Sequence, residues 1–374
     1  MTELYLIRHT QAEGNLYRMM QGHWDGNVTA LGWREIEALA ERFRDVRVDA
    51  VYSSDLYRAR MTAGALTRRD KLPLHLRQDL REIHMGRWEA QFFGNVWYEE
   101  PEATEANLRA QDRWQVEGSE TYAQVRLRAY AALLDIAKAH PEQTVAVVSH
   151  GVTIRCLLSA VTGIPLTETK KLPIGGNTAV SHLYYEDGRF TVDYLNDDSH
   201  LQPLQIPHWS MCADLRHLAL DPARDASYYS ACYADAWMAS HGNLSGYRAE
   251  SYLRAARQHH LADPGAVLRM LDGDRSVGLV DLDTRRGAEE NYGWVSLLYL
   301  CPEYRHKGYG VQLLGRAVAR YGALGRDRLR LTVAEENAPA RAFYEKYGFV
   351  ELERQPTSGG SQLLLEKKLE GRHG

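Results

Sequence analysis

Leu4-Tyr5-Leu6-Ile7-Arg8-His9-Thr10 is the stretch on which the fold of the first half turns. Four apolar residues run straight into a cation and an imidazole, the pattern of a buried strand that delivers Arg8 and His9 to its carboxyl end. The same arrangement recurs twice. Asp49-Ala50-Val51-Tyr52-Ser53 is followed by Ser54 and then by Arg58 in the opening of a helical stretch. Thr144-Val145-Ala146-Val147-Val148-Ser149 is followed by His150-Gly151. Between these strands lie helical patterns: one places Leu31, Ile36, Leu39, Ala40 and Phe43 on a single face behind Thr29 as N-cap, and others cover 55–66, 122–139 and 152–161. Strands alternating with helices predict an α/β fold with a mainly parallel sheet covered on both faces. Runs at 179–185 and 190–194, joined through Asp187-Gly188, predict a closing hairpin. In open parallel sheets ligands bind outside the carboxyl ends of the strands. Two arginines and two histidines are therefore expected in one crevice, near helix N-termini that favour anions. Spacing alone predicts a phosphate site.

The pattern lapses over 196–208, where Asp197-Asp198, Pro203 and Pro207 interrupt it. This is the expected linker between domains at 1–205 and 209–374, and a chain of 374 residues is long enough for two. The second half reads as helices near 223–240 and 249–260, strands at 266–271, 276–281 and 294–300, a helix at 311–324, a strand at 329–333, a helix at 338–347 and a last strand at 362–367. With 44% hydrophobic residues, 25% charged residues and a net charge of −4, the composition is globular and carries no polycationic signature of a nucleic-acid binder. No apolar run approaches the roughly 18–20 residues that span a bilayer. The first apolar run is too short for a secretory signal and lacks a basic flank. Cys156, Cys212, Cys232 and Cys301 are scattered, without a CxxC pair, and read as reduced thiols and not as disulfides or a zinc site. The expectation is a cytoplasmic protein without a nucleic-acid or membrane partner.

The ordered motifs Leu6-Ile7-Arg8-His9-Thr10, Asn15, Gln21-Gly22, Ser53-Ser54-Asp55-Leu56-Tyr57-Arg58-Ala59 with Thr62-Ala63, Arg81-Glu82-Ile83-His84-Met85-Gly86-Arg87-Trp88-Glu89 and Val148-Ser149-His150-Gly151 resemble the histidine phosphatase superfamily over about the first 200 residues. That resemblance implies a phosphoglycerate mutase-like, three-layer α/β/α domain. It implies His9 as the nucleophile that forms a phosphohistidine, and Arg8, Arg58 and His150 as the clamp on the phosphoryl oxygens. It further implies Glu82 as proton donor to the leaving alkoxide, and Asn15 and Gln21 as hydrogen-bonding groups at the pocket edge. The substrate would be a small phosphorylated metabolite, with no metal or other cofactor. Two rivals stand beside these roles: Arg58 paired with Asp55 across the turn, and Glu89 in place of Glu82. His23 and His84 are expected at the rim. The chain departs from the family pattern at Thr10 and Ala12, where Gly and Thr are common, and at Ala90, where Gly is common. The sequence around Glu82 is similar to the phosphatase branch, and a phosphoglycerate-type mutase is the alternative.

In the second half, Arg305-His306-Lys307-Gly308-Tyr309-Gly310 lies between a strand and an amphipathic helix. Two closely spaced glycines allow a tight turn and close approach of backbone to ligand, and the helix that follows presents free N–H groups. With Leu298-Tyr299-Leu300-Cys301-Pro302-Glu303-Tyr304 before it, and Asn337-Ala338-Pro339-Ala340-Arg341-Ala342-Phe343-Tyr344-Glu345-Lys346-Tyr347-Gly348-Phe349 downstream, the region resembles the GNAT N-acetyltransferase family. The resemblance implies a mixed α/β domain that takes acetyl-CoA and an amine acceptor. Backbone at Leu298 and Leu300 would pair with the pantetheine arm, the amides from Arg305 to Gly310 would hold the pyrophosphate, Asn337 would touch the cofactor, and Tyr344 would protonate the departing thiolate. Glu289, Glu290 and Glu335 are undistinguished candidates for the general base. The whole reads as a bifunctional enzyme. The alternative for the second half is a non-catalytic acyl-CoA sensor that regulates the first.

Overall fold

The computed structural model describes residues 1–204, 213–357 and 360–369. They form two compact units, and residues 92–95 group with the second unit although they precede it in the chain by more than a hundred residues. The elements of the first unit are β1 (Thr2–Arg8), α1 (Glu13–Tyr17), α2 (Ala30–Arg42), β2 (Ala50–Ser54), α3 (Tyr57–Asp70), β3 (Leu74–Arg77), α4 (Phe93–Glu99, of which only 96–99 belong to this unit), α5 (Pro101–Arg109), α6 (Tyr122–Ala139), β4 (Thr144–Ser149), α7 (Gly151–Thr162), β5 (Val180–Glu186) and β6 (Arg189–Asp197).

The first sheet has the order β3-β2-β4-β1-β5-β6. β1, β2, β3 and β4 run parallel, and β5 and β6 close the edge as an antiparallel hairpin. The hairpin turn is Asp187-Gly188, both with positive φ, the twist that matches two tightly joined strands. Alternate residues of the central strands serve opposite faces. Leu4, Leu6, Val145 and Val147 pack with Leu133, Ile136 and Leu157 of α6 and α7. Ile7, Ala146 and Val148 pack with Leu39, Phe43, Ala63 and Leu66 of α2 and α3. Such fully buried aliphatic side chains contribute roughly 1.5–3 kcal/mol each. The unit is a three-layer α/β/α fold. Thr29 caps α2 by accepting from Gly32 N at 3.0 Å, and Thr121 with Gln124 forms a capping box for α6.

The expected linker begins later than its composition suggested. β6 continues to Asp197, and a helical turn covers Ser199–Leu204. Residues 205–208 of that linker, and Cys212, lie outside the described residues.

The second unit comprises β7 (Arg216–Ala219), α8 (Ala226–His241), α9 (Ala249–Ala262), β8 (Val267–Asp272), β9 (Arg275–Asp283), β10 (Tyr292–Leu300), α10 (Gly310–Ala323), β11 (Arg328–Ala334), α11 (Ala338–Lys346), β12 (Val350–Thr357) and β13 (Gly360–Lys368). Its sheet order is β12-β13-β11-β10-β9-β8-β7. All neighbours are antiparallel except β10 and β11, which pair in parallel only from Tyr292 to Trp294 against Arg328 to Arg330. A bulge between Val295 and Leu297 then turns β10 aside, and from Leu297 to Leu300 it pairs with β9 alone. Short or polar strands such as β3, β7 and β12 escaped the sequence pattern because their burial is too slight to impose alternation.

Candidate active sites

Parallel register brings the basic residues of the first unit together. Arg8 stands opposite Ser149, and His9 N continues the ladder to Ser149 O at 2.9 Å, so His9 and His150 leave adjacent strands side by side. Their rings lie 5.1 Å apart, centroid to centroid. β2 pairs with the other side of β4 and delivers Arg58 in the first turn of α3.

His9 is buried, and its Nδ1 lies 2.6 Å from the carbonyl oxygen of Thr10. A carbonyl can only accept, so Nδ1 carries the hydrogen and Nε2 holds the free lone pair. Burial first, then the guanidinium groups of Arg58 and Arg8, hold this imidazole well below the usual value of 6.5, which keeps it neutral. Burial, Arg58 and His9 do the same to His150. Neither ring nitrogen of the fully buried His150 has a hydrogen-bond partner within the protein. Arg58 is also fully buried, donating to the carbonyls of Trp24 (3.1 Å) and Gly22 (2.7 Å) and pairing with Asp25 at 3.2 Å. The ion pair with Asp55 does not form, because Arg81 holds Asp55 through two 2.6 Å bonds. Arg8 donates to Gly175 O at 2.5 Å, and its buried Nε has no partner.

Glu82 reaches the N-terminus of α7, where its carboxylate accepts from Val152 N (3.2 Å) and Thr153 N (3.0 Å), and it acts electrostatically on both Arg8 and Arg58. Glu89 accepts instead from the amides of His23, Trp24 and Met85, and so ties two loops together. Asn15 is used locally, its Oδ1 accepting from Ala12 N at 3.0 Å at the start of α1. Gln21 packs against Gly14 with a buried, unpartnered amide oxygen. His23 donates to the carbonyl of Glu82 at 2.9 Å and meets His84 edge to face at 4.9 Å.

Two residues that fix this geometry, Arg128 and Asn177, carried no sequence signal, and the motif residues Thr10 and Thr62 prove to join its parts. Arg128 of α6 donates to the carbonyls of Asp79, Arg81 and Glu82, which sets the segment bearing Glu82. Asn177 Nδ2 donates to His9 O at 2.9 Å. Thr62 Oγ1 donates to Arg58 O at 2.7 Å and accepts from Thr10 N at 2.9 Å, joining α3 to the loop after His9. Thr10 directs its hydroxyl at Gly32 O and at the buried carboxyl of Glu35, whose pKa burial raises. Ala90 has φ +61, a left-handed conformation that glycine adopts without strain.

In the second unit, Cys301 N donates to Val277 O at 2.9 Å, so by strand alternation Leu298 and Leu300 turn their amides and carbonyls to the edge of β10 that has left β11. The carbonyl of Leu300 is already engaged by Arg305 Nε at 2.8 Å, and the amide of Arg305 donates to Pro302 O. The Arg305 side chain also pairs with Asp235 at 2.6 Å. Its contribution is thus to hold the turn, and the amides free for an anion are those further along. Among the described residues, the amides of His306, Gly308, Tyr309 and Gly310 donate to no protein acceptor. His306 and Gly308 have positive φ (+59 and +84), which curls the turn before α10, and His306 and Lys307 are exposed. Asn337 caps α11 by accepting from Ala340 N and donates to Ser240 Oγ at 3.1 Å. Tyr344 is buried in a cluster with Phe343 and Phe349, and burial raises its pKa. Glu289 and Glu290 are exposed on the turn before β10, at the closed end of the β10–β11 pair, and Glu335 is paired with Arg354.

The family model of the histidine phosphatase superfamily (branch 1) matches residues 4–198, more than half the chain. The chain belongs to the histidine phosphatase superfamily. The acetyltransferase (GNAT) family model matches residues 228–349, so this histidine phosphatase carries a GNAT domain behind its phosphatase domain. The chain is similar to a metal-independent phosphoserine phosphatase of Arabidopsis thaliana, 32% identical over 203 residues, which are 54% of this chain and 83% of that protein. It is also similar to a protein of Enterobacter sp. (strain 638) named "Probable phosphoglycerate mutase GpmB", 28% identical over 206 residues, 54% of this chain and 95% of that protein. The solved structure of Bacillus stearothermophilus YhfR superposes with a TM-score of 0.52 at 31% identity, covering 54% of this chain and all of that one. The enzyme is a hydrolase of the histidine phosphatase type with an acetyltransferase domain. Among the described residues, no group of three or more His, Cys, Asp or Glu could hold a metal ion, and no helix is long and apolar enough to cross a membrane.

Proposed function

We propose that the chain is a bifunctional cytoplasmic enzyme with domains at 1–205 and 209–374: a phosphomonoesterase acting through a phosphohistidine at His9, and an acetyl-CoA-dependent N-acetyltransferase. The observation that carries the first half is the His9 tautomer, with its hydrogen on the Thr10 carbonyl and its lone pair on Nε2. Nε2 attacks phosphorus and the bond to the ester oxygen breaks. Glu82 gives its proton to the departing alkoxide. Water then attacks the phosphohistidine, returns a proton to Glu82, and releases phosphate and His9. Arg8, Arg58 and His150 bear the charge on the phosphoryl oxygens, so the positive charge comes from side chains and no metal is called for. Asn15 and Gln21 serve as hydrogen-bonding groups at the pocket edge, a role the unpartnered amide oxygen of Gln21 supports. The phosphoserine phosphatase likeness favours water as the acceptor, and the mutase name of the Enterobacter relative keeps transfer to a second hydroxyl as the rival.

In the second half, the acyl donor supplies an activated thioester. The edge of β10 at Leu298 and Leu300, where the Leu300 carbonyl is already held by Arg305, would pair with its arm, and the amides of His306, Gly308, Tyr309 and Gly310 would meet the pyrophosphate. Asn337 borders the arm from the cap of α11. The acceptor amine would attack the acetyl carbon and the carbon–sulfur bond break, with Tyr344 protonating the sulfur and the proton shed by the amine nitrogen restoring the Tyr344 hydroxyl.

Quenching the enzyme in alkali during turnover of a phosphomonoester is expected to trap an alkali-stable, acid-labile phosphoryl group on His9. The His9→Ala variant should show none and lose at least about a thousandfold in rate. Full activity of that variant rejects the reading. Phosphoryl transfer that requires a bisphosphate activator selects the mutase. Failure of acetyl-CoA to turn over with any amine in a broad panel, despite binding, selects an acyl-CoA sensor.

A further inference from the structure

We propose that Glu35 is a positioning residue for the nucleophile: it holds the peptide unit between Thr10 and Gln11, and through that unit the tautomer of His9. This rests on the reading of His9 as nucleophile given above. Glu35 lies on the buried face of α2 with Gly32, Ile36 and Leu39, and is 3% exposed. A carboxyl group in such a place is costly unless it is hydrogen-bonded, and an apolar side chain would pack there without that cost. Its hydrogen bonds therefore tell what it is kept for. Oε2 accepts from Gln11 N at 2.7 Å and lies 2.8 Å from the hydroxyl of Thr10.

The Gln11 amide and the Thr10 carbonyl are two ends of one planar peptide unit. At the carbonyl end, Thr10 O takes the Nδ1 hydrogen of His9 at 2.6 Å, the contact that leaves Nε2 with its lone pair. A planar unit pinned at its N–H cannot swing its C=O, so the acceptor on Glu35 keeps the Thr10 carbonyl aimed at the imidazole. Among the described residues, no other acceptor meets the Gln11 amide. The preceding peptide unit is fixed separately, by Thr62 Oγ1 at the Thr10 amide and by Asn177 Nδ2 at His9 O. Gly32, one turn before Glu35, packs so closely on the Gln11 carbonyl and the Thr10 hydroxyl that a Cβ there would collide with them. Helix and loop are thus in register, and Glu35 meets the loop at a set distance. Burial raises the pKa of Glu35, against the bonds from Gln11 and Thr10 and the pull of Arg8, the charged group of β1 that acts on it. What the loop draws on is an acceptor oxygen more than a charge.

The test compares two variants of the full chain: Glu35→Leu, which removes the acceptor, and Glu35→Gln, which keeps an oxygen for the Gln11 amide. With p-nitrophenyl phosphate, Glu35→Leu is expected to lower kcat about 10–100-fold, the usual worth of a group that orients a functional imidazole. KM should change less than about threefold, because the groups around the phosphoryl oxygens stay in place. Glu35→Gln should restore kcat to within about threefold of wild type. Nitrogen NMR of protein carrying labelled histidine reads the tautomer directly, with the His9 signals identified by their loss in His9→Ala. Nε2 should appear unprotonated in the wild type and in Glu35→Gln, and shift toward the protonated position in Glu35→Leu. Four results overturn the proposal: unchanged kcat in Glu35→Leu, a loss carried by KM, an unchanged His9 spectrum in that variant, or a fall in Glu35→Gln as deep as its own. If Glu35→Leu fails to fold by circular dichroism, Glu35→Asp, which draws the acceptor back by one methylene, replaces it under the same criteria. Wild-type protein that hydrolyses no phosphomonoester ends the reading of His9 as nucleophile, and the spectra still decide whether Glu35 sets its tautomer.

Discussion

At the carboxyl ends of β1, β2 and β4, the polar groups brought together are side chains: the buried guanidinium of Arg58, the partly buried one of Arg8 and two buried, neutral imidazoles. Along the open edge of β10 and the turn into α10, they are backbone amides, and the charged side chains nearby are exposed or, like Arg305, spent on holding the turn. The first construction puts several cations out of water and needs a surrounding set of carbonyls and carboxylates to keep them there, as Gly22, Trp24 and Asp25 do for Arg58. The second needs only a strand that parts from its neighbour and a turn that leaves its N–H groups unpaired. A site made of side chains is vulnerable to single substitutions. One made of backbone is vulnerable only where a residue alters the chain path or takes part in the chemistry.

Three measurements sharpen or break that contrast. The largest effect is expected for Arg58→Ala, which should lower phosphatase kcat/KM by about 100–1,000-fold, removing a charge from the transition state. It should also destabilise the first unit by about 3 kcal/mol, because the carbonyls of Gly22 and Trp24 and the Asp25 carboxylate lose their shared buried donor. Steady-state kinetics with urea titration reads both, and a drop in acetyl transfer of similar size would show that the two sites are not independent. Next comes Tyr344→Phe, expected to lower acetyl-transfer kcat by about 10–100-fold with little change in KM for acetyl-CoA, since the proposed role of this hydroxyl is to protonate the thiolate and not to hold the cofactor. A rise in KM with kcat intact would assign Tyr344 to packing alone.

The smallest effect concerns pH. His9 and His150 are held well below 6.5 by burial and then by neighbouring groups, so the nucleophile is already neutral at the histidine midpoint. Phosphatase kcat/KM should change less than about twofold from about pH 7.5 to about pH 6, and a fall centred on 6.5 would contradict the neutral nucleophile. Stability moves while the rate does not. The unfolded chain protonates these histidines first, so their contribution is whole above about pH 6.5 and is lost as the pH falls below it. Urea midpoints at about pH 7.5 and about pH 5.5 test that sign.

Legibility in the sequence followed the same division. Arg8, His9, Arg58 and His150 could be read because each stands at the end of an apolar run or in the first turn of a helix, where residue type and position together mean something. Motif spacing favoured Glu82 over Glu89 as the proton donor but could not say what either carboxylate touches. The amides each one meets distinguish them, those of α7 for Glu82 and those of two loops for Glu89. Asn15 and Asn337, marked as site residues, also make bonds at helix starts, a use of asparagine that the same short motif allows equally well.

The amino-acid order by itself determined the alternation of strands and helices, the two-domain plan and the types of group delivered to the strand ends, because burial imposes a period on apolar residues and each strand can end in only one direction. Tertiary structure decided which partner each charge takes, which helix caps are filled, and where β10 parts from β11. Those outcomes depend on contacts between residues far apart in the chain, and a buried charge or a free amide is defined by what surrounds it in space.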